Sequence, residues 1–293
     1  MGFSQHKRFL VWLVLAIAAW WPALRALVRA AIGDENYSYT LLVLGVSVVL
    51  LALDRWDSVG AADLRPGRQP GAAVPTWVLL GVLCLALLGA AWFNFRVPFR
   101  GGDSSLPISI FFWISFLLAA FVYTCGWETF SRQRFPWMFS LLAVPPPDRV
   151  IDTLTIALQW SSADAAYLLF RLFHIPVVRD GLVFSFSKID IEVARECSSI
   201  RSSTILFVTT LVLAQLFLKS TRGKWIVVLL SLPVAVVKNG VRIFTLSLLA
   251  EYVSTSWLDG WFHHQGGFIF LALGLGIMLT LIWLMGRAEA RAR

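Results

Sequence analysis

The sequence predicts an all-α polytopic membrane protein with about eight transmembrane helices, and three observations carry that expectation. Of the 293 residues, 58% are hydrophobic and only 14% charged, where soluble domains run nearer 25% charged. Several apolar runs reach the roughly 17–25 residues that cross a bilayer. The basic residues gather in short segments between those runs, where topology-setting Lys and Arg belong. A net charge of +8 is thus accounted for by the membrane. No Lys/Arg-rich block or aromatic-basic platform offers a nucleic-acid surface.

Taken in order, the apolar runs place helices at about 9–29, 37–53, 76–93, 106–125, 136–147, 202–218, 225–249 and 266–286. The first follows a basic start (Lys7, Arg8) but is long, contains Trp20-Trp21-Pro22 and lacks a small-x-small cleavage site, so it reads as a retained helix. The fifth is short and ends in Pro145-Pro146-Pro147, which leaves its crossing open. Charge and turn signals separate the runs: Asp54-Arg55, the stretch from Arg65 to Gly71, Arg100-Gly101-Gly102-Asp103, and Arg222-Gly223-Lys224. With the N-terminus in the cytoplasm, five basic groups fall inside, among them Arg132/Arg134, Lys219/Arg222/Lys224 and Arg287/Arg291/Arg293. Arg25, Arg29, Arg96 and Arg100 run against that bias.

Residues 148–196 interrupt the pattern as an extracytoplasmic insertion in an otherwise single domain covering 1–293. From Asp148 to Phe173, apolar Ile151, Leu154, Leu158, Ala165, Leu168, Leu169 and Leu172 recur at mostly helical spacing between Asp152, Gln159, Ser162 and Asp164. This pattern predicts an amphipathic helix at the interface or against the bundle. Val177–Val183 reads as two short strands around an Arg-Asp-Gly turn, followed by period-two alternation through residue 193. A small β-hairpin therefore leads into Cys197.

Cys197 lies in Arg195-Glu196-Cys197-Ser198-Ser199-Ile200-Arg201-Ser202-Ser203, just before the apolar run from Thr204 to Leu218. Cys84 and Cys125 sit within apolar runs, where a thiol behaves as a small hydrophobe, and no disulfide framework is indicated. Following the crossings, Arg242 stands about 17 residues above Trp225, or roughly 26 Å of rise. His263 and His264 open the last helix. Cys197, Arg242 and His263/His264 therefore share one lip, whichever side is outside. A thiolate is the reactive form of cysteine, and cations such as Arg195, Arg201 or Arg242, or a helix start, lower its pKa. A histidine within reach accepts the thiol proton and later protonates a leaving amine. An arginine inside a membrane helix is functional by default, and Arg242 is suited to stabilise either the thiolate or an oxyanion. Each residue also has a bland reading: a structural cysteine, a snorkelling Arg242 or Lys238, an interfacial histidine pair. Each bland reading stands alone, but together they must explain a shared lip, which supports a nucleophile's role rather than a packing one.

The segment from Glu196 to Ser202 resembles the Cys-Ser-Gly-Leu/Ile-Arg-Ser motif of the exosortase/archaeosortase family. Asn239-Gly240-Val241-Arg242-Ile243 resembles its Asn-x-x-Arg motif, and His263 with Gly267-Phe268-Ile269-Phe270 resembles its His-x-x-x-Gly-Trp/Phe-Val/Ile-Phe motif. Two weaker echoes are Tyr37-Ser38-Tyr39 and Ala143-Val144-Pro145-Pro146-Pro147. The three main motifs keep the family's order and spacing, and the resemblance covers about residues 37–286. The sequence departs from the pattern at Ser199, where glycine is commoner, and at Phe268, where tryptophan is an option. A histidine in the third motif points to the bacterial branch.

The resemblance implies a membrane-embedded cysteine protease/transpeptidase that cleaves a C-terminal sorting signal of the PEP-CTERM type outside the cytoplasmic (inner) membrane. The exported protein would pass to a surface acceptor, lipid or polysaccharide. By position, Cys197 would be the nucleophile, Arg242 the electrostatic stabiliser and His263 the acid/base, with His264 second. Arg201, Asn239 and Ser198 are candidate substrate-binding residues. No metal or cofactor is implied: the histidines lack ligand-spaced carboxylates or thiolates, and neither HExxH nor GxSxG occurs. Two non-covalent readings compete, a polytopic transporter or channel and a polysaccharide-export assembly factor binding partners through 148–196. No internal repeat supports the first.

Overall fold

The computed structural model describes residues 3–34, 37–53, 76–96, 99, 105–194, 200–254 and 267–291. The chain forms two compact units, Met1–Asp148 and Arg149–Arg293.

The first unit opens with α1 (Phe3–Ala19) and α2 (Trp21–Gly33), where the sequence reads one helix. The two are bent by 73°. Pro22 sits at the start of α2, a position where its missing N–H costs nothing but where it cannot continue a preceding ladder. The bend is fastened by the Trp20 indole N–H, which donates to the Ser109 carbonyl at 2.9 Å. Ser109 lies on α5 (Ser105–Cys125), and its hydroxyl donates to Asn94 Oδ1 of α4 (Thr76–Arg96). Asn94 in turn donates to the Ala90 carbonyl at 2.8 Å. This polar chain joins three helices through buried groups that are all paired, as an apolar surrounding requires. Between α2 and α4, α3 (Tyr39–Ala52) is an apolar helix of 14 residues.

Aromatic packing supplies the rest of this unit's core. The Phe9 ring meets Phe121 edge-on at 5.3 Å, and Phe121 lies 5.0 Å from Trp137. Trp137 belongs to α7 (Arg134–Ser140), which follows the six-residue α6 (Trp127–Arg132) and leads into a 3-10 turn at Leu141–Ala143. The run expected as a fifth helix at 136–147 is therefore divided between two pieces, each too short to cross. Seven residues of α-helix rise only about 10 Å, against a hydrocarbon core of about 30 Å.

The second unit contains α8 (Asp148–Leu172, whose first residue ends the first unit), β1 (Val178–Asp180), β2 (Val183–Ser185), β3 (Asp190–Glu192), α9 (Ile200–Phe217), α10 (Thr221–Tyr252) and α11 (Gly267–Arg291). The expected hairpin is a three-stranded antiparallel meander, β1-β2-β3, with Phe184 paired to both Arg179 and Ile191. Its third strand follows from the alternation at 190–192, where Ile191 is buried and its neighbours are exposed. Gly181, at φ +60°, supplies the left-handed residue of the first turn.

Two cores organise this unit. One lies between α9, α10 and α11 and contains Leu206, Ala214, Leu218, Val227, Val228, Ala235, Met278 and Ile282. The other joins α8 and the sheet to the later half of α10 through Ala163, Ala166, Phe170, Phe184, Val193 and Ile243. Gln159 of α8 donates to the Val193 carbonyl beyond β3. The Lys188 backbone N–H, in the β2–β3 turn, donates to the Glu251 carboxylate of α10 at 3.3 Å. The closest approach is at Gly240, where a Cβ would lie 2.6 Å from Ala165 Cβ and 3.1 Å from the Ala166 nitrogen.

Among the described residues, four helices are long and apolar enough to cross a membrane: Ser105–Cys125, Ile200–Phe217, Thr221–Tyr252 and Gly267–Arg291. The bent α1–α2 pair makes a fifth if it counts as one span. The runs at 38–52 and 80–96 are shorter apolar helices. The protein is an all-α multi-pass membrane protein, with four or five such spans where the sequence reads about eight. Helix α8 has 25 residues but is not among them; Asp152, Asp164 and Arg171 lie on its exposed surface, as expected of a helix outside the hydrocarbon.

Gly240→Ala is expected to destabilise the protein by about 1–3 kcal/mol, because the added methyl meets α8 backbone rather than a movable side chain. Thermal unfolding of the purified protein in detergent measures this; a melting temperature equal to wild type would contradict the packing.

Candidate active site

The described parts of the three motifs lie on the three helices of one bundle. The apolar helix that follows Cys197 begins at Ile200, Asn239 and Arg242 lie on α10, and α11 begins at Gly267 of the third motif. Antiparallel connection puts the start of α9, the later half of α10 and the start of α11 at one end. Side-chain contacts confirm that level. The Lys238 ammonium on α10 donates to the Ser202 hydroxyl in the first turn of α9. A Cβ on Gly274, two turns into α11, would lie 3.4 Å from both Lys238 Cδ and Leu206 Cδ2. Gly274 therefore leaves room for the lysine stem to pass between helices.

The site residues expected from the sequence divide into two groups. Arg201, Asn239 and Arg242 are described. Arg201 is exposed on the first turn of α9, Asn239 is 1% exposed, and Arg242 is half-buried one turn beyond Lys238 on the same face of α10. Cys197 and Ser198 fall in 195–199, and His263 and His264 in 255–266; all four lie outside the described residues. The remaining cysteines belong to the first unit, Cys84 exposed on α4 and Cys125 buried at the end of α5.

Lys238 is the residue that sequence reasoning undervalued. Read as a snorkelling side chain, it would carry its charge to the interface. It is instead 2% exposed and turned towards Ser202. The available signal was its position four residues before Arg242, which puts two cations on one helix face. Like charges at that spacing are mildly unfavourable in a helix, so helix stability gives no reason for the pair.

The two weaker motif echoes also meet. The Tyr37 hydroxyl donates to Asp148 Oδ1 at 2.6 Å, joining a residue two positions before α3 to the one after Pro145-Pro146-Pro147. Burial, and then the Asp148 carboxylate, hold the Tyr37 phenol well above its ordinary pKa. The phenol therefore remains a donor across physiological pH.

On the sheet, Arg179 pairs with Asp164 of α8 at 2.7 Å and lies over the rings of Tyr167 and Phe184 at 5.6 and 5.7 Å. Asp164 is 67% exposed, so the ion pair itself contributes little; the aromatic contacts hold the arginine in place.

The family model for transmembrane exosortase (Exosortase_EpsH) matches residues 20–280. This chain belongs to the exosortase family. The match takes in all three motif regions and both compact units. No curated protein and no solved structure matches the chain.

Neighbouring serines on α9 give contrasting expectations. Ser203 is buried, and its hydroxyl has no hydrogen-bond partner among the described residues; Ser203→Ala should be neutral or stabilising by up to about 1 kcal/mol. Ser202→Ala removes the acceptor of a buried ammonium and should cost about 1–3 kcal/mol. Paired denaturation midpoints measure the difference, and equal effects would refute the Lys238 contact.

Proposed function

We propose that this exosortase-family protein is a cysteine peptidase/transpeptidase that cleaves a C-terminal, PEP-CTERM-like sorting signal from exported proteins. Its active site would face the periplasmic side of the bacterial inner membrane, and the cleaved protein would pass to a lipid or polysaccharide acceptor at the surface. The reading rests chiefly on one observation: the three motif-bearing helices α9, α10 and α11 pack together, with their motif-bearing ends at one level.

In this mechanism His263 takes the Cys197 thiol proton, and the thiolate attacks the scissile carbonyl. Arg242 stabilises the oxyanion. As the C–N bond breaks, His263 returns the proton to the leaving amine and a thioester remains. An acceptor hydroxyl or amine, or water, then attacks the thioester. His263 takes the attacking group's proton, and the Cys197 thiolate leaves and is reprotonated. Asn239, Arg201 and Ser198 bind the peptide beside the nucleophile. The α8–sheet assembly, packed on α10 at Ile243, is a wall for a peptide arriving from the aqueous side.

Cys197→Ala is expected to abolish processing of a tagged sorting-signal substrate in membranes, and Arg242→Ala and His263→Ala to reduce it at least about 100-fold, the scale of losing one oxyanion donor. All three should insert at wild-type levels. Full processing by Cys197→Ala would sink the reading. In a Cys84→Ser/Cys125→Ser background, a membrane-impermeant thiol probe should label Cys197 from the periplasm, and labelling from the cytoplasm alone would reverse the topology.

A further inference from the structure

We propose that Lys238 is a positioning residue for the reaction: its ammonium, acting through Ser202, holds the first turn of α9 in register with the Arg242 turn of α10. The proposal deepens the peptidase reading and rests on it.

The argument begins with cost. A lysine inside a membrane helix is expensive, and its usual relief is to snorkel to an interface. Lys238 takes the opposite course and is almost fully enclosed. Its stem crosses the α9–α11 seam against Leu206, in space left by the missing side chain of Gly274. Its head meets Ser202, the third residue of α9. Among the described residues no acidic side chain pairs with it in a salt bridge. A hydrocarbon side chain of similar volume would fill the same seam without desolvating a charge, and such replacements of buried charges are often neutral or stabilising. Packing therefore does not explain the lysine. What a methionine cannot supply is a directional bond to one hydroxyl. That hydroxyl belongs to the turn opening α9, while Arg242 lies one turn beyond Lys238 on the same face. The bond ties the sliding and rotation of α9's first turn to α10 at this level. A displacement of about 1 Å at a reacting group costs on the order of 100-fold in rate.

The test uses full-length protein in lipid nanodiscs and a peptide carrying a C-terminal sorting signal. Lys238→Met is expected to lower kcat about 10- to 100-fold while KM stays within about twofold and the melting temperature holds or rises. Ser202→Ala should reproduce the loss in kcat, and the double variant should be no slower than the slower single, as expected of residues acting through one contact. Wild-type kcat in Lys238→Met, or losses that multiply in the double variant, would overturn the proposal. So would activity that returns on cooling in step with recovered folding, since that marks a purely structural lysine. Cys197→Ala is the control for the underlying reading. If that variant processes the peptide as fast as wild type, the peptidase reading falls, and hydrogen exchange at the amides of residues 204–206 decides the positioning claim. Faster exchange in Lys238→Met sustains it, and unchanged exchange refutes it.

Discussion

The turn between α9 and α10 sets the register on which the rest of the second unit depends. It is three residues long, and a turn that tight forces the two helices antiparallel and adjacent. Its exposed backbone is secured from the third helix, because Glu289 of α11 accepts from the Lys219 amide at 2.9 Å and the Ser220 amide at 3.3 Å. Ser220 also caps α10 by accepting from the Gly223 amide at 3.0 Å. One carboxylate thereby closes three helices at one end. Ser202 and Lys238 lie at equal sequence distances on either side of Ser220, so their meeting at the other end is a consequence of this closure. A single-residue change in the turn would rotate α10 by about 100° relative to α9 and carry Asn239 and Arg242 off the shared face.

The polar residues inside the bundle form a graded series rather than a uniform core. Near the closed end the three-helix interior is apolar, built from Leu218, Val227, Val228 and Ile282. Towards the other end, buried Ser203, Lys238 and Asn239 appear, and beyond them the half-buried Arg242. Apolar packing thus holds one end while the polar end carries groups whose desolvation no hydrocarbon contact offsets. Buried polar groups are retained at such a cost chiefly where function requires them. Glycines serve both ends: Gly240 and Gly274 each allow another element to approach the polar half of the bundle, and Gly223 admits Glu289 at the closed end, where a Cβ would lie 2.7 Å from its Oε1.

Much of this was legible in the sequence. The runs at 202–218, 225–249 and 266–286 lie within a few residues of α9, α10 and α11, because long apolar stretches between charged breaks leave little choice of structure. The amphipathic spacing of 148–173 marked α8, and period-two alternation marked the sheet. Hydropathy was a poorer guide in the first unit. The run at 9–29 is continuous in composition, but Pro22 and the Trp20–Ser109 bond divide it, and the second cause lies 89 residues away. The direction of Lys238 was equally hidden, since it depends on the absence of a side chain at Gly274 on another helix. Hydropathy placed Arg242 on its helix, whereas the contact of Lys238 with Ser202 is a matter of tertiary detail that spacing does not encode.

Helix α10 is longer than a membrane is thick. Its 32 residues extend about 48 Å, against roughly 30 Å of hydrocarbon. Measured from Thr221, Arg242 stands about 32 Å along the axis, about the thickness of the hydrocarbon itself, and the ten residues after it extend the helix like a mast. The sheet and α8 are rigged to that mast through Ile243, Phe244, Leu248 and Glu251. Because Arg242 and the residues that hold the sheet share one helix, a thicker bilayer would submerge both together rather than part them. The depth of the Arg242 turn and of the sheet is then set by the lipid.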